Sequence, residues 1–120
     1  MPSRRQDLGA AGEKAAEQAL LRTGCEILGR NVRTPFGEID LLALDEDGVL
    51  CFVEVKTRTG DAFGHPAEAV TASKRSHLKR AAQAILQERH WDGPCRFDVV
   101  AVFPGEDGQM DVEILPDAFQ

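Results

Sequence analysis

Two apolar segments joined by a short acidic turn constrain the fold of this chain more than any other feature. Residues 38–45 and 49–57 are rich in strand-forming residues, and the turn from Glu46 to Gly48 separates them. A three-residue hairpin loop usually combines a type I turn with a glycine in the left-handed region. The sequence therefore predicts an antiparallel hairpin in which Asp45 pairs with Val49.

This register brings charged residues together within an apolar hairpin. Asp40 is predicted to face Glu54, and Lys56 shares the face of Glu54 because side chains two positions apart on a strand point the same way. A shift of one residue would turn Asp40 to the opposite face. Glu38 is predicted opposite Lys56, as the partner that holds this lysine.

Two carboxylates at this spacing repel each other unless a cation lies between them. Mg²⁺ commonly takes one or two carboxylates together with waters and phosphate oxygens. Asp40 and Glu54 therefore predict a divalent cation site suited to hydrolysis of a phosphate ester. Lys56, a compact cation beside that site, would orient or help to deprotonate the attacking water, or stabilise charge on the phosphate.

The remaining sequence predicts an α/β fold in one domain, residues 1–120. Apolar positions at helical spacing mark two helices, and Gly24 is the expected C-cap of the first. Because both faces of the hairpin are apolar, we expect a mixed central sheet flanked by helices. Asp98 is predicted either to support the site or to lie at a sheet edge. The predicted order is αβββαβ with a last short strand, over residues 5–23, 25–33, 38–45, 49–57, 71–88, 96–103 and 110–115.

The charge distribution bears on the type of partner. The net charge is −6, yet residues 71–90 carry five basic residues against Glu88 alone. A basic helix attracts phosphate even on an acidic protein, although a solvated helix face is the alternative. Lys74 is predicted near the sheet edge, whereas Arg75 and Lys79 lie on a more exposed row of this helix. All three are candidate contacts to nucleic acid.

Other sequence features narrow the class of protein. No apolar stretch approaches the roughly 20 residues that span a bilayer, and the polar N-terminus has no secretory core behind it. A cytoplasmic protein without a membrane partner is expected. The three cysteines lack a CxxC pattern, so neither a zinc site nor a disulfide framework is indicated.

Asp40 followed by Glu54-Val55-Lys56 resembles the PD-(D/E)xK nuclease signature, with Ile39 where the motif has proline. The αβββαβ order resembles the restriction-endonuclease-like core of that superfamily. More closely, the chain resembles the YraN-like family of bacterial predicted endonucleases. The segments that carry this resemblance are Gly12-Glu13, residues 30–33, 37–40 and 52–58, Lys74, and residues 96–100.

The resemblance implies a metal-dependent endonuclease that hydrolyses DNA. Asp40, Glu54 and the Val55 carbonyl would bind Mg²⁺ or Mn²⁺, Lys56 would assist the attacking water, and Glu13 would support the metal site. The family is considered related to archaeal-type Holliday junction resolvases, which implies branched or junction DNA as substrate and a homodimer. Arg33, Arg58 and Lys74 would bind the flanking phosphates.

Two other functions remain open at this point. The chain could be a non-catalytic nucleic-acid-binding module with a relict site, or an interaction protein, for which the acidic C-terminal segment is the only support. In the loop after the third strand, Phe63 is a candidate for stacking on a base and His65 for a substrate contact. Packing and surface exposure are the respective alternatives for these two residues.

Overall fold

The hairpin forms the centre of a five-stranded sheet. The computed structural model describes residues 4–58 and 70–119, with side chains from residue 9 onward. The strands lie in chain order; β3 and β4 are parallel, and all other neighbours are antiparallel. The predicted mixed sheet and the αβββαβ order are confirmed. The elements are α1 (Arg4–Arg22), β1 (Glu26–Thr34), β2 (Gly37–Leu44), β3 (Leu50–Thr57), α2 (Ala72–Glu88), β4 (Cys95–Pro104) and β5 (Met110–Phe119).

The predicted register of the hairpin is confirmed over four successive pairs. They run from Leu44 opposite Leu50 to Leu41 opposite Val53. At the turn, the Asp45 N–H donates to the Val49 carbonyl at 3.0 Å. Gly48 has a φ of 82°, which glycine adopts at little steric cost.

Each face of the sheet is covered by one helix, as predicted. On one face, Ala16 and Leu20 of α1 pack with a cluster that includes Leu41, Cys51 and Val53. On the other face, α2 contributes the buried residues Leu78, Ala81, Ala82 and Ile85, which pack with Leu42 and Phe52. Fully burying one such large apolar side chain contributes about 1.5–3 kcal/mol. The two helices therefore fix the sheet between them.

The alternation of side chains breaks at Asp40. Strict alternation would put Ile39 on the face of Leu41, but it packs in the cluster beneath α2. The β1–β2 register is unchanged across this point, from Arg30–Leu41 to Val32–Ile39, and its recorded shift lies farther along, between Ile27 and Gly29. Asn31 lies opposite Asp40 with a φ of 49°, a conformation that asparagine tolerates better than most residues. Asp40 therefore occupies an irregular position in β2.

Helix α1 approaches the sheet closely at Gly12. A Cβ atom at this buried position would overlap the Thr57 hydroxyl at the end of β3. The missing side chain lets the helix lie against β3, and the next residue, Glu13, is carried towards the same end of the sheet.

Among the described residues, no helix is both long and apolar enough to cross a membrane.

Strand β5 is longer than predicted, and it bulges opposite the buried residue Asp98. Pairing passes from Val99–Leu115 directly to Phe97–Phe119. The Asp98 carboxylate, 1% exposed, accepts hydrogen bonds from the Arg96 guanidinium at 2.9 Å and from the Asp117 N–H at 2.9 Å. Asp98 lies opposite Val53 on the α1 side of the sheet. It is therefore a buried structural residue, and both earlier expectations for it were wrong.

Candidate active site

Asp40 lies where β2 and β3 separate. Their pairing ends at Leu41–Val53, and the Val55 N–H donates to the Asp40 Oδ2 at 2.8 Å. Burial, followed by repulsion from Glu54, raises the pKa of Asp40 to about 6, although the Val55 amide acts in the opposite direction. Because the N–H and C=O of one strand residue point to the same side, the Val55 carbonyl is also directed towards this opening.

Glu54 is buried between two lysines. Its residue exposure is 6%, and its Oε1 lies 2.7 Å from the Lys74 Nζ and 3.4 Å from the Lys56 Nζ. A buried carboxylate is costly unless it is paired. Lys74 comes from the first turn of α2, where the Thr71 hydroxyl caps the helix by accepting from the Lys74 N–H. Glu54 is thus held from its own strand and from the helix above it.

The two lysines are electrostatically unequal. Burial and the neighbouring Lys74 lower the pKa of Lys56, outweighing the attraction of Glu54. Burial also lowers the pKa of Lys74, but its contacts with Glu54 and Lys56 outweigh that effect and raise the pKa above its usual value. Lys56 is therefore the amine that gives up its proton more readily.

Glu13 belongs to the same group of charges. Burial, followed by the charges of Glu38 and Glu54, raises the pKa of the Glu13 carboxyl. Helix α1 thus places a third carboxylate near Glu38 and Glu54.

The expectation that Glu38 holds Lys56 was wrong. Glu38 pairs with Arg33 of β1, and their side chains lie 3.8 Å apart. Lys56 pairs with Glu54 instead, because β2 and β3 have already separated before Glu38 could face Lys56.

The predicted DNA contacts differ in their surroundings. Arg33 is 88% exposed at its side chain and Lys79 is exposed, while Arg58 is half-buried after β3. Lys74, expected on a flanking phosphate, is bound to Glu54. The Arg75 Nε donates to the Val70 carbonyl at 3.0 Å and its guanidinium lies over the Phe119 ring, which gives Arg75 a structural role. Phe63 and His65 lie outside the described residues.

A cavity beside Asp40 involves residues that the sequence did not single out as functional. It has a volume of about 260 Å³ and separates α1 from β1 and β2. Arg30 forms an ion pair with Glu17 at this cavity. Asn31 lies next to them, but no sequence signal predicts its left-handed backbone. The lining residues are Ala10, Glu13, Lys14, Glu17, Arg30, Asn31, Asp40 and Leu41.

The donor set at the strand separation fits a hard divalent cation. Asp40 and Glu54 supply two carboxylates, which is the number that Mg²⁺ commonly uses. Burial, followed by the charge of Glu54, raises the pKa of Asp40, and a cation bound to this carboxylate would favour its charged form. Within residues 9–58 and 70–119, no three or more His, Cys, Asp or Glu residues are arranged as a complete metal-binding group.

The protein is an α/β protein whose five-stranded mixed sheet carries Asp40 on β2 and Glu54 and Lys56 on the adjacent strand β3. The chain belongs to the uncharacterised protein family UPF0102, the YraN family, whose profile matches residues 12–102. It is 51% identical over 113 residues to a UPF0102 protein of Symbiobacterium thermophilum, covering 93% of this chain and 95% of the relative. A UPF0102 protein of Prosthecochloris aestuarii is 48% identical over 119 residues, covering 94% and 93%.

Solved structures resemble the fold more distantly. A repair endonuclease from Pyrococcus abyssi has a TM-score of 0.45 at 19% identity, over 90% of this chain and 41% of that one. Pyrococcus furiosus SfsA in complex with Ca²⁺ has a TM-score of 0.46 at 17% identity, over 93% and 63%. An EndoMS–dsDNA complex has a TM-score of 0.43 at 17% identity, over 72% and 34%. This chain spans less than two thirds of each structure, and similarity at this level supports no functional conclusion.

Proposed function

We propose that this protein is a cation-dependent endonuclease that hydrolyses phosphodiester bonds in DNA. The observation that carries the proposal is the convergence of Asp40, Glu54 and Lys56 at the separation of β2 from β3. A buried carboxylate and a partly buried one beside an amine of lowered pKa are costly to maintain and add little to stability. Groups with perturbed pKa values of this kind cluster at functional sites.

Each residue has a distinct role in the proposed reaction. Asp40, Glu54 and the Val55 carbonyl would hold Mg²⁺ or Mn²⁺, which, when bound, lowers the pKa of water and neutralises charge on the phosphate. Lys56, whose pKa is lowered, orients the attacking water by a hydrogen bond, or accepts the proton of that water after its own ammonium has lost a proton. Glu13 supports the carboxylates from α1.

The proposed DNA surface lies at the same end of the sheet. Arg58 follows Lys56 by two residues, and Arg33 pairs with Glu38, two residues before Asp40. Their guanidinium groups suit the flanking phosphates, since arginine binds phosphate through two parallel hydrogen bonds. Branched or junction DNA and a homodimer are carried over from the family resemblance as part of the proposal.

Cleavage assays on linear, flap and four-way-junction DNA with Mg²⁺ or Mn²⁺ test this function. Groups that only support metal ligands already cost about 10–100-fold when mutated, so Asp40→Asn should lower cleavage more than about a hundredfold. Gln83→Ala, at an exposed position of α2, is the control and should retain turnover. Equal cleavage by wild type and Asp40→Asn would refute the mechanism.

The same assays separate a nuclease from a binding module with a relict site. Such a module would bind DNA in a salt-sensitive manner but show no cation-dependent turnover on any of the substrates. Absence of both binding and turnover would contradict a role on DNA altogether.

A further inference from the structure

Lys74 and Lys56 converge on a single oxygen of Glu54. The Lys74 ammonium makes the shorter contact, 2.7 Å against 3.4 Å, and it reaches the strand from α2. Sequence reasoning placed Lys74 on a flanking DNA phosphate. The structure instead places its charge on a carboxylate that the proposed function assigns to the cation.

The charges of the four central residues balance without a metal ion. Asp40 and Glu54 are opposed by Lys56 and Lys74, and the Glu54 side chain is only 8% exposed. A divalent cation that binds Glu54 must therefore compete with an ammonium group already in hydrogen-bonding contact. In a partly buried site, charges a few ångströms apart interact by several kcal/mol.

We propose that Lys74 is a positioning residue that occupies Glu54 in place of the cation and thereby sets the affinity of the site for divalent metal. This inference rests on the proposed function, because it takes Asp40 and Glu54 as the cation ligands. It separates the two lysines by role: Lys56 acts on the reacting water, and Lys74 controls how readily the site is loaded. Weak loading keeps a hydrolytic site inactive until cation and substrate are both present.

Calorimetric titration of DNA-free protein with Mn²⁺ tests the proposal. Lys74→Met removes the charge and keeps most of the stem, so the Mn²⁺ affinity should rise on the order of tenfold. Lys74→Arg keeps the charge and should remain close to wild type. Arg80→Met, at an exposed position of the same helix, should leave the affinity unchanged, and circular dichroism confirms that each variant is folded.

DNA binding in EDTA supplies the second measurement. If Lys74 is held by Glu54, then Lys74→Met should change DNA affinity less than about twofold, whereas Arg33→Ala should weaken it. Unchanged Mn²⁺ affinity together with weakened DNA binding would overturn the proposal and make Lys74 a phosphate ligand.

The outcomes also distinguish the inference from the proposed function. Wild-type Mn²⁺ binding that Lys74→Met does not strengthen would overturn only the role given to Lys74. No Mn²⁺ binding by either wild type or Lys74→Met, with Glu54→Gln as the baseline, would remove the cation site and the inference with it.

Discussion

Asp40 shows how one residue can be costly to the fold and useful to a reaction. Its carboxylate accepts the Val55 N–H, yet burial and Glu54 hold its pKa near 6. The turn fixes the hairpin register as far as Leu41–Val53, which brings Asp40 near Glu54, but the separation of the strands at Asp40 was not predicted. The electrostatics of Asp40 were not predictable either, since they depend on burial and on Glu13, which arrives from a helix far away in sequence.

We expect Asp40→Asn to stabilise the metal-free protein at neutral pH. The folded-state pKa is raised from 3.8 to about 6, so the contribution of Asp40 to stability is most favourable below pH 4 and is lost as the pH rises through 6. Asparagine removes this cost and keeps an acceptor for the Val55 N–H. Urea denaturation in EDTA at pH 7.5 should show a gain of about 1–3 kcal/mol.

The gain from Asp40→Asn should shrink when the same denaturation is repeated near pH 4. If Asp40→Asn were no more stable than wild type at pH 7.5, the ionised Asp40 would not destabilise the metal-free protein. Added Mn²⁺ should then raise the unfolding free energy of wild type and not that of Asp40→Asn.

Asp45 fixes the turn that sets the register. Its Oδ1 accepts the N–H groups of Asp47 and Val49, both at 2.9 Å, and its Oδ2 binds Arg96 at 2.7 Å. Asp45→Ala should destabilise the protein by about 1–3 kcal/mol, because it leaves these donors without their acceptor. Asp47→Ala, in the same exposed turn, is the control and should change the unfolding free energy by less than about 0.5 kcal/mol.

The effect of Asp45→Ala should depend on pH. The Val49 amide, then Asp47 and Arg96, lower the pKa of Asp45 against the effect of burial, so its stabilisation is present at neutral pH and is lost as the pH falls through the lowered pKa. Urea titrations at pH 7 and pH 3 measure this difference. If Asp45→Ala lowered the unfolding free energy equally at both pH values, the charged carboxylate would not be the source of the stabilisation.

At the scale of elements, local sequence patterns predicted the helices, the hairpin and the strand order. They failed where contacts between distant segments decide the backbone. The left-handed Asn31 opposite Asp40 and the bulge of β5 opposite Asp98 have no local signature. The approach of Lys74 to Glu54 likewise depends on how α2 packs across the sheet, which amphipathic spacing indicates only in outline.

The close contact of α1 with β3 gives a prediction at this scale. Gly12→Ala should push the helix away from Thr57, displace Glu13 and lower cation-dependent cleavage. Gly9→Ala is the matched control, since nothing lies within 4 Å of a Cβ there. Gly9→Ala should leave cleavage intact and stabilise the helix by about 0.5–1 kcal/mol. Equal cleavage by the two variants would show that α1 does not position the site.

Across the whole molecule the net charge is −6, so the proposed binding of DNA requires a surface that is locally basic. The structure divides the five predicted basic contacts. Lys74 and Arg75 bond within the protein, and Arg33 lies 3.8 Å from Glu38. Within residues 9–58 and 70–119, Arg58 and Lys79 form no ion pair. The sequence identified the basic residues but could not assign them to solvent or to internal contacts.

The double variant Arg33→Ala/Arg58→Ala should reduce the salt dependence of DNA binding. Each phosphate contact contributes about 0.9 to the slope of log K against log salt on duplex DNA, so the slope should fall by about 1.8. Fluorescence anisotropy in EDTA measures this slope between about 50 and 200 mM salt, the range in which such contacts weaken strongly. If Lys79→Ala lowered this slope more than the double variant does, the DNA surface would instead lie on the exposed row of α2.

The bulged strand β5 has a consequence for association between copies of the chain. It is an edge strand, and an open edge of ten residues offers a template for further strand pairing. Asp111 and Glu113 place negative charge along the exposed positions of this edge, Pro116 lacks an N–H to donate, and the bulge bends the strand. The edge is therefore protected against continuous sheet formation, and a self-association of this protein would have to use another surface.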